Sequence, residues 1–155
     1  MATYESRLWK WIRYRTDLIE GLDIGRVENM VGQGFPDVEG CWEGFSFYIE
    51  LKVVPKRPKT DRGGITVTFQ PQQPDWLEKR WACGGACYVL IQVGLKHEAK
   101  RYLIPGNAVW HFKDTVIDES ILEELSVCNP KDRADVIIKK ARRLPPTSLE
   151  DSILD

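Results

Sequence analysis

The sequence predicts an α/β fold: a mixed central sheet of four or five strands, flanked by helices, with extra helices toward the C-terminus. Three observations lead to this prediction. An amphipathic helical pattern opens the chain, strand-like apolar segments follow it, and a second helical pattern lies between two of those segments. Strands that alternate with helices along the sequence are typical of α/β domains.

Length and composition point to a single globular domain. The 155 residues are 43% hydrophobic and 29% charged, as in ordinary globular proteins. No run approaches about 18 apolar residues, and the N-terminal stretch is charged, so we expect no membrane association, no secretory signal and a cytoplasmic location. The four cysteines complete no zinc set and are read as reduced thiols.

The charge is unevenly distributed. The net charge is −1 for the whole chain, but residues 1–113 carry +3 and residues 114–155 carry −4. This permits nucleic-acid binding by the first part without demonstrating it. We expect residues 1–113 to form the core and 114–146 a helical extension that packs on the core or on a dimer partner. Residues 147–155 are expected to be a flexible tail.

The first helix is predicted from Tyr4 to Glu20, with Thr3 as its cap and Gly21 as its end. Glu5 falls on the apolar stripe of this helix, and a buried carboxylate needs a partner or a ligand. The alternative is that Glu5 only interacts with the helix dipole in the first turn. Glu20 is a second candidate acid at the other end.

A predicted strand over residues 24–31 carries Arg26, and a hairpin loop over 40–44 leads into the central strand. In that strand apolar residues alternate with Ser46, Tyr48, Glu50 and Lys52. A period of two places Glu50 and Lys52 on one face, roughly 7 Å apart. Asp37 ends the preceding hairpin arm and can fold back beside them. Such a group of charges favours a bound divalent cation; the alternative is a Glu50–Lys52 salt bridge.

Beyond the central strand, residues 55–64 form a basic loop that either contacts DNA phosphates or is simply solvated. A short strand is predicted over 65–69, a helix from about Pro74, and buried strands over 87–93 and 102–104. Two C-terminal helices follow, the second opened by Pro130. If the chain acts on DNA, as the resemblance given next implies, the residues that would contact it are Lys56, Arg57, Lys59, Arg62, Arg26 and Lys96.

Pro36-Asp37 followed by Glu50-Leu51-Lys52 resembles the PD-(D/E)xK signature of the restriction-endonuclease-like nuclease superfamily. The flanking GFPD and YIELK are most similar to Holliday junction resolvases and small phage resolvase-like nucleases, over about residues 3–93. The resemblance implies a restriction-endonuclease-like sheet and a Mg²⁺ site, with Mn²⁺ as a substitute.

The resemblance also implies roles for individual residues. Its metal ligands would be Asp37, Glu50, the Leu51 carbonyl and, through water or on a second ion, Glu5. Lys52 would orient the attacking water and act electrostatically. Gln73, at the start of the second helix, would hold this water or a phosphate oxygen. A helix cap is the alternative for Gln73, and Gln70 and Gln72 are neighbouring candidates.

The expected function is therefore a Mg²⁺-dependent DNA endonuclease, structure-selective as in Holliday junction resolvases, with branched DNA as substrate. Because two symmetrically related strands are cut, the resemblance implies a homodimer. A phage-encoded protein acting in a bacterial cytoplasm fits this resemblance. The alternatives are a nicking, repair or restriction-type nuclease on other DNA, and a DNA-binding factor without catalytic activity.

Overall fold

A five-stranded mixed sheet forms the centre of the fold. The computed structural model describes residues 2–27, 34–60 and 63–143. The strands of the sheet are Asp23–Arg26 (β1), Val38–Trp42 (β2), Phe45–Val54 (β3), Ala86–Val93 (β5) and Lys100–Pro105 (β6), in the order β1-β2-β3-β5-β6. Only the β3–β5 pair is parallel. The predicted mixed α/β sheet is confirmed.

Helices cover the sheet, and a small second sheet lies beside it. The α-helices are Tyr4–Thr16 (α1), Gln72–Ala82 (α2), Glu119–Leu125 (α3) and Ala134–Lys140 (α4). Short 3-10 helices span Lys96–Glu98 and Gly106–His111. Ile65–Thr66 (β4) pairs antiparallel with Val116–Ile117 (β7). No helix in the described part of the chain is long and apolar enough to cross a membrane.

The helix α1 begins where predicted but ends earlier. The Thr3 side chain caps it by accepting a hydrogen bond from the Ser6 N–H. At the other end the Thr16 hydroxyl is buried and donates to the Ile12 carbonyl at 2.9 Å. Beyond Thr16 the chain turns through i to i−3 bonds, from the Leu18 N–H to the Arg15 carbonyl at 3.4 Å and from the Ile19 N–H to the Thr16 carbonyl at 3.0 Å. The α-helix therefore ends at Thr16, and not at Glu20 as the sequence predicted.

A two-residue turn fixes the register of the β2–β3 hairpin. Glu43 and Gly44 both have positive φ angles, 51° and 81°, as the favoured hairpin turns require. The predicted loop over 40–44 is therefore shorter, and Gly40 lies within β2. Gly40 is needed there because a Cβ would come within 2.3 Å of the Phe47 ring. The hairpin thus pairs Val38 with Ile49.

Each face of the sheet has its own apolar core. On one face β3 packs against α1 and α4, as the shared cluster of Leu8, Ile49, Leu51 and Ile137 shows. The other face carries α2, α3 and the 106–111 helix. Its buried residues include Leu77, Val89, Ile91, Val109 and Leu122. Every residue of β5 is buried, which agrees with its continuous apolar sequence.

The C-terminal segment differs from the prediction at its second helix. Pro130 does not open α4; its carbonyl accepts a hydrogen bond from the Arg101 N–H. Residues 129–132 form a turn in which the Asp132 carboxylate accepts from the Asn129 N–H at 2.9 Å, and α4 starts only at Ala134. The predicted tail over 147–155 lies outside the described residues, as do 28–31 of the predicted first strand.

Candidate active site

Asp37 and Glu50 face each other across the β2–β3 hairpin. Continuing the register by one pair beyond Val38 and Ile49 places Asp37 opposite Glu50. Opposed residues on antiparallel strands lie about 5 Å apart, and like charges there are destabilising. The Leu51 N–H donates to Asp37 Oδ2 at 3.0 Å, which fixes the orientation of this carboxylate. The hairpin thus brings together two acids that the sequence separates.

Glu50 is almost completely buried, with 3% of its surface exposed. Burial is the main cause that raises the pKa of Glu50 from 4.5 to about 9, and the charge of Asp37 and a hydrogen bond to Asp37 add to it. Lys52 and Gln73 act in the opposite direction but do not outweigh these effects. Without a cation, these effects favour the protonated form of Glu50 at neutral pH, which is hydrogen-bonded to Asp37.

Lys52 is held by groups other than Glu50. Its Nζ donates to Gln73 Oε1 at 2.9 Å and lies 4.8 Å from the centre of the Phe69 ring. None of the ion pairs within the described residues includes Lys52, so the alternative of a Glu50–Lys52 salt bridge is not what the structure shows. The ammonium is positioned beside the acids rather than neutralised by one of them.

Gln73 connects the helix α2 to the strand β3. Its Oε1 accepts from both Lys52 Nζ and the Gln70 N–H, each at 2.9 Å, and its side chain also bonds to Glu50. Gln73 is buried, with 8% exposure. Gln73 is not the cap of α2, whose N-cap is Pro71 without a side-chain cap bond, and its Oε1 instead joins the segment before the helix to Lys52.

These side chains line one pocket of about 530 Å³. The α1 acid in this pocket is Glu5, whereas Glu20 lines a different pocket at the other end of the helix. Glu5 nevertheless does not join Asp37 and Glu50 in a compact group. Among the described residues, no three His, Cys, Asp or Glu side chains are close enough to hold one ion together. The site therefore offers two carboxylates, with a third across the pocket.

This donor set fits Mg²⁺. The ion prefers hard oxygen ligands, retains several waters and is commonly bound by one or two carboxylates together with substrate phosphates. Burial first, and then the charge of Asp37, raise the pKa of Glu50, so its ionised form is poorly stabilised in the pocket without a cation. A divalent cation bound to Asp37 and Glu50 would stabilise that form and displace the proton of Glu50.

Arg57 has a structural role, contrary to the predicted DNA contact. Its guanidinium makes a two-point ion pair with Glu119, at 2.7 and 3.2 Å, and donates to the carbonyls of Val93 and Glu98. These bonds use four of the five N–H donors of the guanidinium, so Arg57 is engaged within the fold. Since a basic residue in a basic loop looks the same in sequence whether it is free or paired, the prediction could not distinguish the two.

The other predicted DNA-contacting residues are differently placed. Arg26 lies at the rim of the site pocket and donates to Ser6 Oγ at 3.0 Å. Lys56, Lys59 and Lys96 are exposed, and none of them lines this pocket. Arg62 lies outside the described residues. Among the described basic residues that were named from sequence as DNA contacts, Arg26 alone lines the pocket of the acids.

Phe69 is a site residue that the sequence analysis missed. Its ring faces Lys52, and its N–H donates to Asp114 Oδ1 at 3.0 Å, which ties it to the segment just before β7. No signal in the sequence could have indicated this contact, because it depends on how the segment after β4 crosses the end of the sheet.

Comparisons with known proteins find similar solved structures but no family. No protein-family model and no curated protein matches this chain. The solved structures similar to it include the 1.6 Å structure of Hjc from Archaeoglobus fulgidus, a Holliday junction resolvase from an archaeal hyperthermophile. The identity is 19% over 78% of this chain and 88% of that one, with a TM-score of 0.46. What this chain does is therefore inferred from its own site, in which Pro36-Asp37 precedes β2 and Glu50-Leu51-Lys52 lies on β3.

Proposed function

We propose that the protein is a metal-dependent DNA endonuclease of the PD-(D/E)xK superfamily and that it acts on branched DNA as a Holliday junction resolvase. The observation that supports this best is the opposition of Asp37 and buried Glu50, with Lys52 held beside them by Gln73. Carboxylates placed together at this cost to stability are typical of sites that bind a cation or catalyse a reaction.

Asp37, Glu50 and the Leu51 carbonyl are the proposed ligands of Mg²⁺, with Mn²⁺ as a substitute. When bound, the ion supplies an activated water and neutralises charge that develops on the phosphate. Asp37 is already oriented by the Leu51 N–H, so it need not reorganise on binding. Glu50 has to release its proton first, and Lys52 and Gln73, which both favour its ionised form, assist that release.

Lys52 then acts on the substrate. Its ammonium is anchored by one hydrogen bond to Gln73 and by the face of Phe69, which leaves further N–H donors for a phosphate oxygen or the attacking water. A fixed cation stabilises charge in the transition state without reorganisation. Glu5, across the pocket, is proposed to orient a water molecule and not to bind the first ion directly.

DNA is the proposed substrate because the pocket is open to solvent and has Arg26 at its rim. Lys56, Lys59 and Lys96 are exposed and remain candidates for phosphate contacts farther along the DNA. Selectivity for a four-way junction implies two coordinated cuts, and so a homodimer.

A cleavage panel tests the proposal. Junction, flap, splayed-arm, linear duplex and single-stranded substrates of matched sequence are incubated with the wild type or Asp37→Asn, with Mg²⁺, Mn²⁺ or EDTA. We expect divalent-dependent cutting of the junction, which Asp37→Asn abolishes while DNA binding survives. Equal activity of the variant would remove Asp37 from the site.

The same panel distinguishes the alternatives. Equal cutting of linear duplex and junction would indicate a nicking, repair or restriction-type nuclease. Tight DNA binding with no cleavage of any substrate would indicate a DNA-binding factor that has lost catalytic activity.

A further inference from the structure

Three aromatic rings and one arginine form a cluster beside the site pocket. Phe35, Tyr48 and Trp76 contact one another edge to face, with ring centres 5.2 to 5.5 Å apart. The Arg80 guanidinium carbon lies 5.3 Å from the centre of the Tyr48 ring and 4.8 Å from that of Trp76. Nothing in the proposed hydrolytic mechanism uses this cluster, so its arrangement needs a separate explanation.

Arg80 is held in place but has no acid partner in the part of the chain that the structure describes. Its aliphatic stem packs over Gly85, where a Cβ would come within 2.6 Å of the stem. Its guanidinium lies against two rings, and within the described residues no ion pair or side-chain hydrogen bond engages it. Stacking on an aromatic face leaves the N–H groups in the guanidinium plane free to donate. Arg80 is thus a pre-organised and exposed cation.

Two members of the aromatic cluster lie close in sequence to Asp37 and Glu50. Tyr48 precedes Glu50 by two residues on the same face of β3, a separation of about 7 Å along the strand. Phe35 precedes Asp37 by two residues and lines the same pocket. Arg80 lies beyond Tyr48, with its guanidinium carbon 5.3 Å from the centre of the Tyr48 ring. A strand with one phosphate at the acids can therefore present a flanking phosphate to Arg80.

Acidic residues on the neighbouring sheet face explain why a fixed cation is needed at this position to bind a phosphate. The open face of β1 to β3 carries Asp23 and Glu39, and Glu39 lies directly across from Tyr48. Both side chains are exposed and would repel a phosphate backbone. Neither forms an ion pair with Arg80. Arg80 therefore marks the position on this side of the pocket where an anionic strand can be accepted.

We propose that Arg80, held by Tyr48 and Trp76, binds a backbone phosphate that flanks the one that is cut. The proposal rests on the endonuclease function and adds to it the path of the DNA strand, which leaves the acids toward α2. A bidentate guanidinium contact to a phosphate is specific in geometry as well as in charge.

The test measures binding without cleavage. A fluorescent four-way junction is titrated with protein in EDTA at several salt concentrations, for the wild type, Arg80→Gln, Arg80→Lys and Lys79→Gln. Lys79 is the matched control because it is the adjacent exposed cation on α2 and is absent from the aromatic cluster. Thermal unfolding of each variant checks that the fold is retained.

We expect Arg80→Gln to weaken binding roughly tenfold near 0.1 M salt and to reduce the slope of log affinity against log salt by about 0.9. Arg80→Lys should restore the slope but only part of the affinity, since lysine cannot make the two-point contact. Lys79→Gln should match the wild type.

Two results would overturn the assignment. Arg80→Gln could bind with the wild-type slope, or Lys79→Gln could lose as much as Arg80→Gln does. In both cases the endonuclease proposal would stand as long as the wild type binds and cuts. Absence of salt-dependent DNA binding by the wild type would instead overturn the endonuclease function itself, and the Arg80 contact with it.

Discussion

Replacing Glu50 with glutamine should stabilise the metal-free protein while abolishing its activity. Glutamine has the shape of a protonated glutamate, so it can donate to Asp37 and accept from Gln73 as Glu50 does. In the native protein Glu50 has its pKa raised to about 9, mainly by burial and then by Asp37, against 4.5 as the ordinary value. At neutral pH Glu50 is therefore protonated in the folded chain and ionised in the unfolded chain.

The magnitude follows from proton linkage. Between pH 4.5 and about 9 the folded state holds one proton more than the unfolded state at this position. The stability that protonated Glu50 contributes is complete below pH 4.5 and is lost as the pH rises toward 9. The loss is about 1.4 kcal/mol per pH unit, hence about 3 kcal/mol at pH 7. Glutamine does not ionise, so Glu50→Gln should be more stable by about 3 kcal/mol at pH 7 and nearly equal to the wild type at pH 4.

Urea unfolding in EDTA at pH 5, 6, 7 and 8 measures this difference. We expect the gap between Glu50→Gln and the wild type to widen by about 1.4 kcal/mol with each pH unit. Glu39→Gln is the control, because Glu39 lies on the same sheet face but is exposed. Addition of Mg²⁺ should raise the stability of the wild type and leave Glu50→Gln unchanged.

One result would refute the reasoning. If Glu50→Gln is no more stable than the wild type at pH 7, or if the difference does not depend on pH, then Glu50 is ionised in the fold. The strain that we attribute to the Asp37–Glu50 pair would then be absent.

Three further substitutions separate catalytic from structural roles. Lys52→Met should lower the cleavage rate by about 10²- to 10³-fold with DNA binding retained; cleavage within tenfold of the wild type would contradict the role of Lys52. Phe69→Leu should slow cleavage about threefold or more, by weakening the cation–π contact, while Phe69→Tyr is near normal; equal rates for the two variants would rule out that contact. Arg57→Met should cost about 2 kcal/mol in urea unfolding, because Glu119 loses its partner, without changing the salt dependence of DNA binding; the reverse result would restore Arg57 to the DNA contacts.

The sequence predicted the site best where local geometry decides it. Strand periodicity alone places Glu50 and Lys52 on one face of β3, and the structure agrees. The opposition of Asp37 and Glu50 depends on the turn, and the sequence analysis placed that turn too broadly. If Glu43-Gly44 is recognised as a two-residue hairpin turn, then Trp42 pairs with Phe45. Continuing residue by residue along both strands pairs Asp37 with Glu50.

What the sequence could not predict depends on long-range packing. The Phe69–Lys52 contact and the Arg57–Glu119 pair join segments far apart in the chain, and neither has a local pattern. The predicted helix boundaries at Glu20 and Pro130 were wrong for another reason. After Thr16 the chain turns through i to i−3 bonds although an apolar residue follows at Ile19, and Pro130 lies in a turn that the Asp132 carboxylate closes before α4 begins.

The packing of α1 against α4 has a consequence for how the protein assembles. Leu8 and Ile137 belong to one core although they lie near opposite ends of the described chain. Forming a contact between residues so distant in sequence requires a long loop to close, and the entropy cost of that closure comes before the contact stabilises the fold. We therefore expect folding to be slower than in a bundle of helices that are neighbours in sequence. The same contacts would hold the folded protein together after a single cleavage in a surface loop between α1 and α4, because the two fragments share this core.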